Sequence, residues 1–230
     1  MRKTFNITGS CNPQRHYMVD SKERLIAVEK LIDSGEYLTI NRARQYGITT
    51  TLFMIWRRLS EQNLVLPMSF EGLGDSAFTS EEAFVGTFTR MIAGRLNLAK
   101  EDETLVRIWE NCAAKSLDDL ALTITEFCRK SSKPVVVTID EVDKSSDNQL
   151  FLNFLGMLRN KYLEREMEGM DYTFHSVILA GVYDVKNIKL KLRPEAEKKY
   201  NSPWNIATDF KVDMTFHPEE TAQLLTDYEN

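Results

Sequence analysis

The sequence predicts an α/β layer sandwich built on a mainly parallel sheet, and three observations carry the prediction. Apolar strand-like runs alternate with amphipathic helical stretches along the chain, the pattern that lays helices over a parallel sheet. The run Val135–Ile139 (VVVTI) is unbroken and β-branched, the mark of a strand buried on both faces. A short strand, Tyr37–Asn41, leads through a glycine-bearing loop into a helix, which puts that loop at the carboxyl end of the sheet, where open α/β sheets bind ligands. At 230 residues the chain can bury one sizeable core with a small appendage.

Each element has its own signal. Met1–Asp20, with Gly9, Asn12 and Pro13, lacks periodicity and reads as an irregular strap. Ser21–Ser34 carries Leu25, Ile26, Val28, Leu31 and Ile32 at helical spacing, and Ser34-Gly35 stops that helix. After the strand Tyr37–Asn41 and the loop Arg42–Thr50, Thr51–Glu61 is a helix. It is apolar over more than half its circumference (Leu52, Phe53, Ile55, Trp56, Leu59), so it is expected between the sheet and another element. Leu64–Phe70 is the next strand; Pro67 within it has no N–H to donate, which predicts a sheet edge or a bulge. A glycine-rich turn, Glu71–Asp75, precedes a helix over Ser80–Asn97, whose Ser80, Glu81 and Glu82 suit the positive end of a helix dipole. Glu103–Ala114 and Leu117–Ser131 are further helices, the second ended by Lys133-Pro134. Beyond the strand Val135–Ile139, Ser146–Arg165 is a long helix with Leu150, Phe151, Phe154, Leu155, Leu158 and Tyr162 on one side. Phe174–Ala180 is a strand closed by Gly181; Tyr183–Ala207 is polar and lysine-rich; Phe210–Phe216 alternates like an edge strand. Trp204 and Phe210 read as core plugs, and Pro218 opens a last short helix.

Composition narrows the function classes. A net charge of −5 gives no global electrostatic case for nucleic acid or an anionic membrane. Lys186, Lys189, Lys191 and Arg193 form a local basic run, read as a solvated loop ahead of a nucleic-acid contact or an arginine finger. Cys11, Cys112 and Cys128 are odd in number and widely spaced, which points to a reducing compartment and away from a disulfide framework or a zinc site. No apolar run approaches the ~20 residues of a membrane span. The start, MRKTFNITGS, is too short and polar for a signal peptide. A cytoplasmic protein without membrane association is the expectation.

Two segments carry chemistry. A phosphate-binding loop needs a strand, a loop, Gly-Lys-Ser/Thr and a helix, because backbone N–H groups at the helix start cradle phosphates while the lysine reaches the outer ones. Here Gly47 allows close backbone approach, Thr49 puts a hydroxyl on Mg²⁺ and Thr50 faces the inner phosphate. Arg42 and Arg44 lend positive charge or bind acidic neighbours. The strict GxxxxGK[ST] pattern fails at its first glycine, where Arg42 stands, and at its lysine, where Ile48 stands. The second segment is VVVTIDEVD, Val135–Asp143. Asp140 and Glu141 fall where a buried strand emerges at the ligand edge, so one carboxylate organises a Mg²⁺ shell and the next positions or deprotonates a water. Asp143 adds a third acid; the alternative is a solvated acidic turn.

NRARQYGITTTL, VVVTIDEVDKSSDNQLFLNFLGMLR, SVILAGVYDVKNIKLK and YNSPWNIA together resemble the AAA-like ATPase domains of bacterial proteins with a compact RQxGKTT form of the P-loop. The resemblance runs from about Tyr17 to the end. It implies a three-layer P-loop sandwich with a mainly parallel five-stranded sheet in the order 5-1-4-3-2. It also implies ATP and Mg²⁺ as ligands, and a nucleotide segment of Arg42, Arg44, Gln45, Tyr46, Gly47, Ile48, Thr49 and Thr50. Asp140 would organise Mg²⁺ with Thr49, Glu141 would be the catalytic base, and Val177–Gly181 the sensor strand, with Tyr183 or Asp184 replacing its usual Asn or Thr. Arg42 fits the family pattern; Ile48 departs from it, since the family has lysine there. The implied organisation is a strap and helix over 1–35 and a core over 36–230 without an evident helical lid, as in a fragment or a lidless form. Partners would be ATP or ADP and either a second copy or a downstream effector domain.

Ile48 divides the functional reading. Removing one phosphate-stabilising donor costs about 3–4 kcal/mol in catalysis, and isoleucine adds apolar bulk where phosphate oxygens would lie. The expectation is an ATP-binding domain with impaired Mg²⁺-dependent hydrolysis; the alternative is a non-catalytic pseudo-ATPase serving as a protein-interaction module.

Overall fold

The computed structural model describes residues 3–6, 9–19, 22–41, 47–142, 148–167, 169–181, 208–209 and 218–229. In chain order the first elements are α1 (Lys22–Asp33), β1 (Leu38–Asn41), α2 (Ile48–Leu59) and β2 (Leu64–Ser69). A 3-10 turn (Asp75–Phe78) leads to α3 (Glu81–Ala99), α4 (Glu103–Glu110) and α5 (Leu117–Lys130). Then come β3 (Val135–Asp140), α6 (Gln149–Glu166), β4 (Ser176–Gly181), β5 (Thr208–Asp209) and α7 (Pro218–Glu229).

All strand pairs are parallel. β2 pairs with β3, β3 with β4, and β4 with β1, giving the order 1-4-3-2 among the four strands of four to six residues. The two residues of β5 pair with Leu38 and Thr39 on the outer side of β1. Where five full strands were expected, the described residues therefore hold four and this short pairing. The edge strand expected over 210–216 lies outside the described residues, as does all of 183–207, with the basic run 186–193 and Trp204, and Phe210. Pro67 sits in β2, which among the described residues is bonded on one side alone, a position that suits a residue without an N–H.

Strand alternation splits the core into two layers. Val135, Val137, Ile139, Val177 and Leu179 face a cluster filled from α3, α4, α5 and α6 by Phe84, Phe88, Trp109, Phe127, Phe154 and Leu158. Val136, Ile178, Ala180, Leu38 and Ile40 face the other way, onto Leu25, Val28 and Ile32 of α1 and Leu52, Ile55 and Leu59 of α2. The result is helix, sheet, helix.

Caps set most helix starts. Ser80 accepts from the Ala83 N–H at 3.1 Å, Asp102 from Thr104 at 2.7 Å and Asn148 from Leu150 at 2.8 Å. Ser116 and Asp119 form a reciprocal capping box at α5. Asn148 thus starts α6 at Gln149, later than the Ser146 expected.

Two polar groups brace the frame. At the amino edge of the sheet Arg165 donates to the carbonyls of Gly35, Phe174 and His175 at 2.7, 3.0 and 2.7 Å, tying α6 to the end of α1 and the entry to β4. Between α5 and α6, Lys161 is 4 % exposed; it donates to Thr125 Oγ1 at 2.6 Å and is ion-paired with Asp171. The strap meets α7 through Phe5, Tyr17 and Tyr228, whose ring centroids lie 5.1, 5.3 and 5.5 Å apart. Among the described residues no helix is long and apolar enough to cross a membrane.

Candidate functional site

The parallel register brings Asn41 of β1, Gly181 of β4, Asp140 of β3 and Ser69 of β2 to one edge, the carboxyl end of the sheet. Gly47, at the start of α2, and Asp140, at the end of β3, bring the described ends of the two predicted segments to it.

Gly47 turns the chain into α2. Its φ of 71° is left-handed, and nothing lies within 4 Å of where a Cβ would stand, so glycine is favoured by the backbone angle and not by space. α2 therefore begins at Ile48, earlier than the Thr51 expected, and Ile48, Thr49 and Thr50 form its first turn. The first N–H groups of a helix have no intrahelical partners, and among the described residues no side chain caps this one. Donors of this kind, with the positive end of the dipole, favour anions.

The three first-turn side chains go three ways. Ile48 is 6 % exposed and joins the apolar cluster of Leu25, Val28 and Leu52. Its bulk thus fills the core on the α1 side, where the sequence reading had put it over the phosphates; burial of an apolar side chain gains about 1.5–3 kcal/mol, and the cluster is adjacent. Thr49 is exposed, and its Oγ1 donates to Asp140 Oδ2 at 2.8 Å, a contact spanning 91 residues of sequence. Thr50 Oγ1 accepts the Cys11 N–H at 3.0 Å, so the hydroxyl expected at the inner phosphate is held by the strap.

Asp140 ends β3 half-buried, and its Oδ1 accepts the Glu141 N–H at 2.9 Å. Both of its oxygens are therefore oriented. Glu141 adopts φ 58°, a left-handed conformation that costs an L-residue about 1–2 kcal/mol. The next residue, Val142, is fully buried in the larger cluster, and it pins the turn that throws Glu141 out of line with the strand.

A cleft of about 420 Å³ opens beside the Thr49–Asp140 pair. Ser10, Phe53, Trp56, Ser69, Arg95 and Thr138 are among its walls. Sequence reasoning missed Ser69, Arg95 and Thr138. Ser69 and Thr138 were findable as polar residues late in strands that end at the ligand edge; Arg95 is one polar position on a long helix and has no local signal. Arg42, Arg44, Gln45, Tyr46, Asp143, Tyr183 and Asp184 lie outside the described residues.

The donors present fit Mg²⁺. A hydroxyl and a carboxylate are hard oxygen ligands, and Mg²⁺ takes one or two protein groups and fills its octahedron with phosphate oxygens and water. Among the described residues no group of three or more His, Cys, Asp or Glu gathers to form an all-protein cage.

A family model described as an AAA-like domain matches residues 9–229. Among solved structures the chain is similar to the Aeropyrum pernix ORC1 protein in complex with DNA, at 11% identity and TM-score 0.49, covering 92% of this chain and 50% of that one. It is similar to the Aeropyrum pernix ORC2 protein in ADPNP-ADP complexes at 15% identity and TM-score 0.49, covering 97% and 53%. For Drosophila ORC bound to DNA the values are 13% identity and TM-score 0.43, covering 87% and 94%. The chain thus spans about half the length of the two Aeropyrum chains. No curated protein matches it.

Proposed function

This chain belongs to the AAA-like domain family, and on that premise we propose that it binds ATP with Mg²⁺ at the start of α2, with hydrolysis weakened by Ile48 at the lysine position. The observation that carries this reading is the Thr49–Asp140 hydrogen bond at the carboxyl edge of the sheet. A hydroxyl on the first turn of an uncapped helix meets a carboxylate at the end of a buried strand, which is the donor pair a magnesium nucleotide requires.

Each residue has a role in it. The first N–H groups of α2 bind phosphate oxygens, with Gly47 letting the backbone approach. Thr49 Oγ1 and a carboxylate oxygen of Asp140 would hold Mg²⁺, which when bound neutralises charge on the phosphate oxygens. Glu141, turned out of the strand by its left-handed backbone, accepts the proton of an attacking water. Position 48 contributes no cation, so charge developing on the outer phosphate lacks one stabilising donor. A second reading is favoured by Ile48 itself. Its burial makes it part of the fold's core, which suits a pseudo-ATPase that keeps the architecture for binding a protein.

Calorimetry with Mg²⁺·ATP and Mg²⁺·ADP decides between them. The expected result is binding by this chain, lost in Thr49→Ala and retained in Glu141→Gln, with any phosphate release falling in Glu141→Gln by about 100-fold or more. Absence of nucleotide binding by the unaltered chain would refute the ATP-site reading and leave the interaction module.

A further inference from the structure

We propose that the cleft beside Thr49 and Asp140 receives the outermost phosphate of a nucleoside triphosphate, with Arg95 of α3 as its cationic contact. The inference rests on the ATP-site reading above and names the source of the charge that position 48 does not supply.

Four observations converge. Ile48 is buried in the apolar layer, so the helix start gains no cation from it. The cleft is walled by Thr49 and Asp140 and extends between Phe53 and Trp56 of α2 and Met68 of β2 to Ser69 and Arg95, whereas Gly47, Thr50 and Glu141 do not line it. A phosphate chain that begins at the N–H groups after Gly47 and runs past the Thr49–Asp140 pair therefore enters the cleft with its last member. Thr138 lines the cleft at 1 % exposure, and its Oγ1 has no hydrogen-bond partner among the described residues. A buried hydroxyl left in this way calls for a polar occupant, and a phosphate oxygen or a water held by one answers it. Arg95 is the one cation among the described residues lining the cleft. It is exposed and makes no hydrogen bond or ion pair with another described residue. Its neighbour Leu96 is fully buried and Ala93 nearly so, which anchors that stretch of α3 on the core.

The chemistry suits the occupant. A guanidinium presents a planar fork of donors that matches two phosphate oxygens at once. In the free protein Arg95 and Asp140 balance each other within the described lining; a magnesium triphosphate adds negative charge on the side Arg95 faces. A cation arriving from α3, past β2, meets the last phosphate alone, whereas a loop lysine reaches the inner ones as well. The arrangement therefore discriminates triphosphate from diphosphate.

The test measures Mg²⁺·ATP and Mg²⁺·ADP affinity by calorimetry on the full chain and its Arg95→Ala, Arg95→Lys and Thr49→Ala variants. Arg95→Ala should weaken ATP binding about 10- to 100-fold. It should change ADP binding by less than about threefold and leave the nucleotide-free melting temperature in place, as expected of an exposed side chain. Arg95→Lys should recover part of the loss, because it keeps the charge and loses the fork. If Arg95→Ala melts low, Arg95→Gln carries the comparison. Loss of binding in Thr49→Ala with unaltered ATP affinity in Arg95→Ala overturns Arg95 and leaves the nucleotide site standing. Equal losses for ATP and ADP overturn the assignment to the outermost phosphate. Failure of the unaltered chain to bind either nucleotide overturns the site and this inference together.

Discussion

Replacing Ile48 with lysine sets two effects of opposite sign at one position. In the nucleotide-free protein the isoleucine is 6 % exposed and fills the layer between α1, α2 and the sheet, against Leu25, Val28 and Leu52. Removing a buried aliphatic side chain of this size costs about 2–5 kcal/mol. A lysine stem recovers part of that by lying along the same apolar surface while its ammonium reaches the open start of α2. The net loss is about 2 kcal/mol, which for a chain of this length lowers the melting temperature by about 4–8 °C. With nucleotide present the same ammonium sits where phosphate charge gathers. Loss of one such donor costs enzymes about 10²–10³ in turnover, so its return should raise phosphate release by a comparable factor and tighten ATP binding. At a ligand concentration of about 100 Kd the native state gains about 2.7 kcal/mol, enough to cancel the packing loss. The assays are thermal melts with and without Mg²⁺·ATP, and phosphate release. The variant should melt lower than the parent alone and near or above it in saturating ATP. An unchanged melting temperature without nucleotide would refute the structural account of Ile48. An unchanged ATP-induced shift together with unchanged turnover would refute the assignment of position 48 to the phosphate site.

Two further predictions test the frame. Lys161→Ala removes the ammonium partner of the largely buried Asp171 carboxylate, which keeps the Thr125 hydroxyl as a donor, and should cost about 3–5 kcal/mol in urea unfolding. The paired replacement Lys161→Met with Asp171→Leu should cost much less, and equal losses would contradict the desolvation argument. Burial, then the nearby Arg165 guanidinium, holds the His175 imidazole below its ordinary 6.5, with Asp33 acting in the opposite sense. A depressed value means the folded state prefers neutral histidine. The stabilisation is therefore present above the unfolded-state pKa and is lost as pH falls through that value to the lower folded one. Melting temperature should drop between about pH 7.5 and about pH 5 more steeply in the parent than in His175→Gln, and identical slopes would count against the assignment.

Much of this molecule was legible in its sequence because local patterns report local physics. The unbroken run Val135–Ile139 announced a strand covered on both faces, and the two clusters that receive its alternate side chains are those covers. Pro67 announced an edge or a bulge because it has no N–H to give a second neighbour, and among the described residues β2 pairs with β3 alone. Gly47 marked the loop between β1 and the next helix, and its φ is positive. The place of Asp140 and Glu141 at the end of β3 was legible because a buried strand must deliver its next residues to the carboxyl edge of the sheet.

Tertiary structure alone decided the rest, since those facts depend on which surfaces meet. The order of the strands came from helices crossing the sheet, and it brought Thr49 within 2.8 Å of a carboxylate 91 residues away. Ile48 reads as a defect in a phosphate motif; the fold makes it a core residue, because α1 offers apolar surface on the side to which the first turn of α2 directs it. Thr50 reads as a phosphate ligand, yet the strap takes its hydroxyl. Arg95 has no signal in its own neighbourhood, because its place in the cleft is set by how α3 lies along the edge of β2. Periodicity says which face of an element is apolar; packing says what stands opposite the polar one.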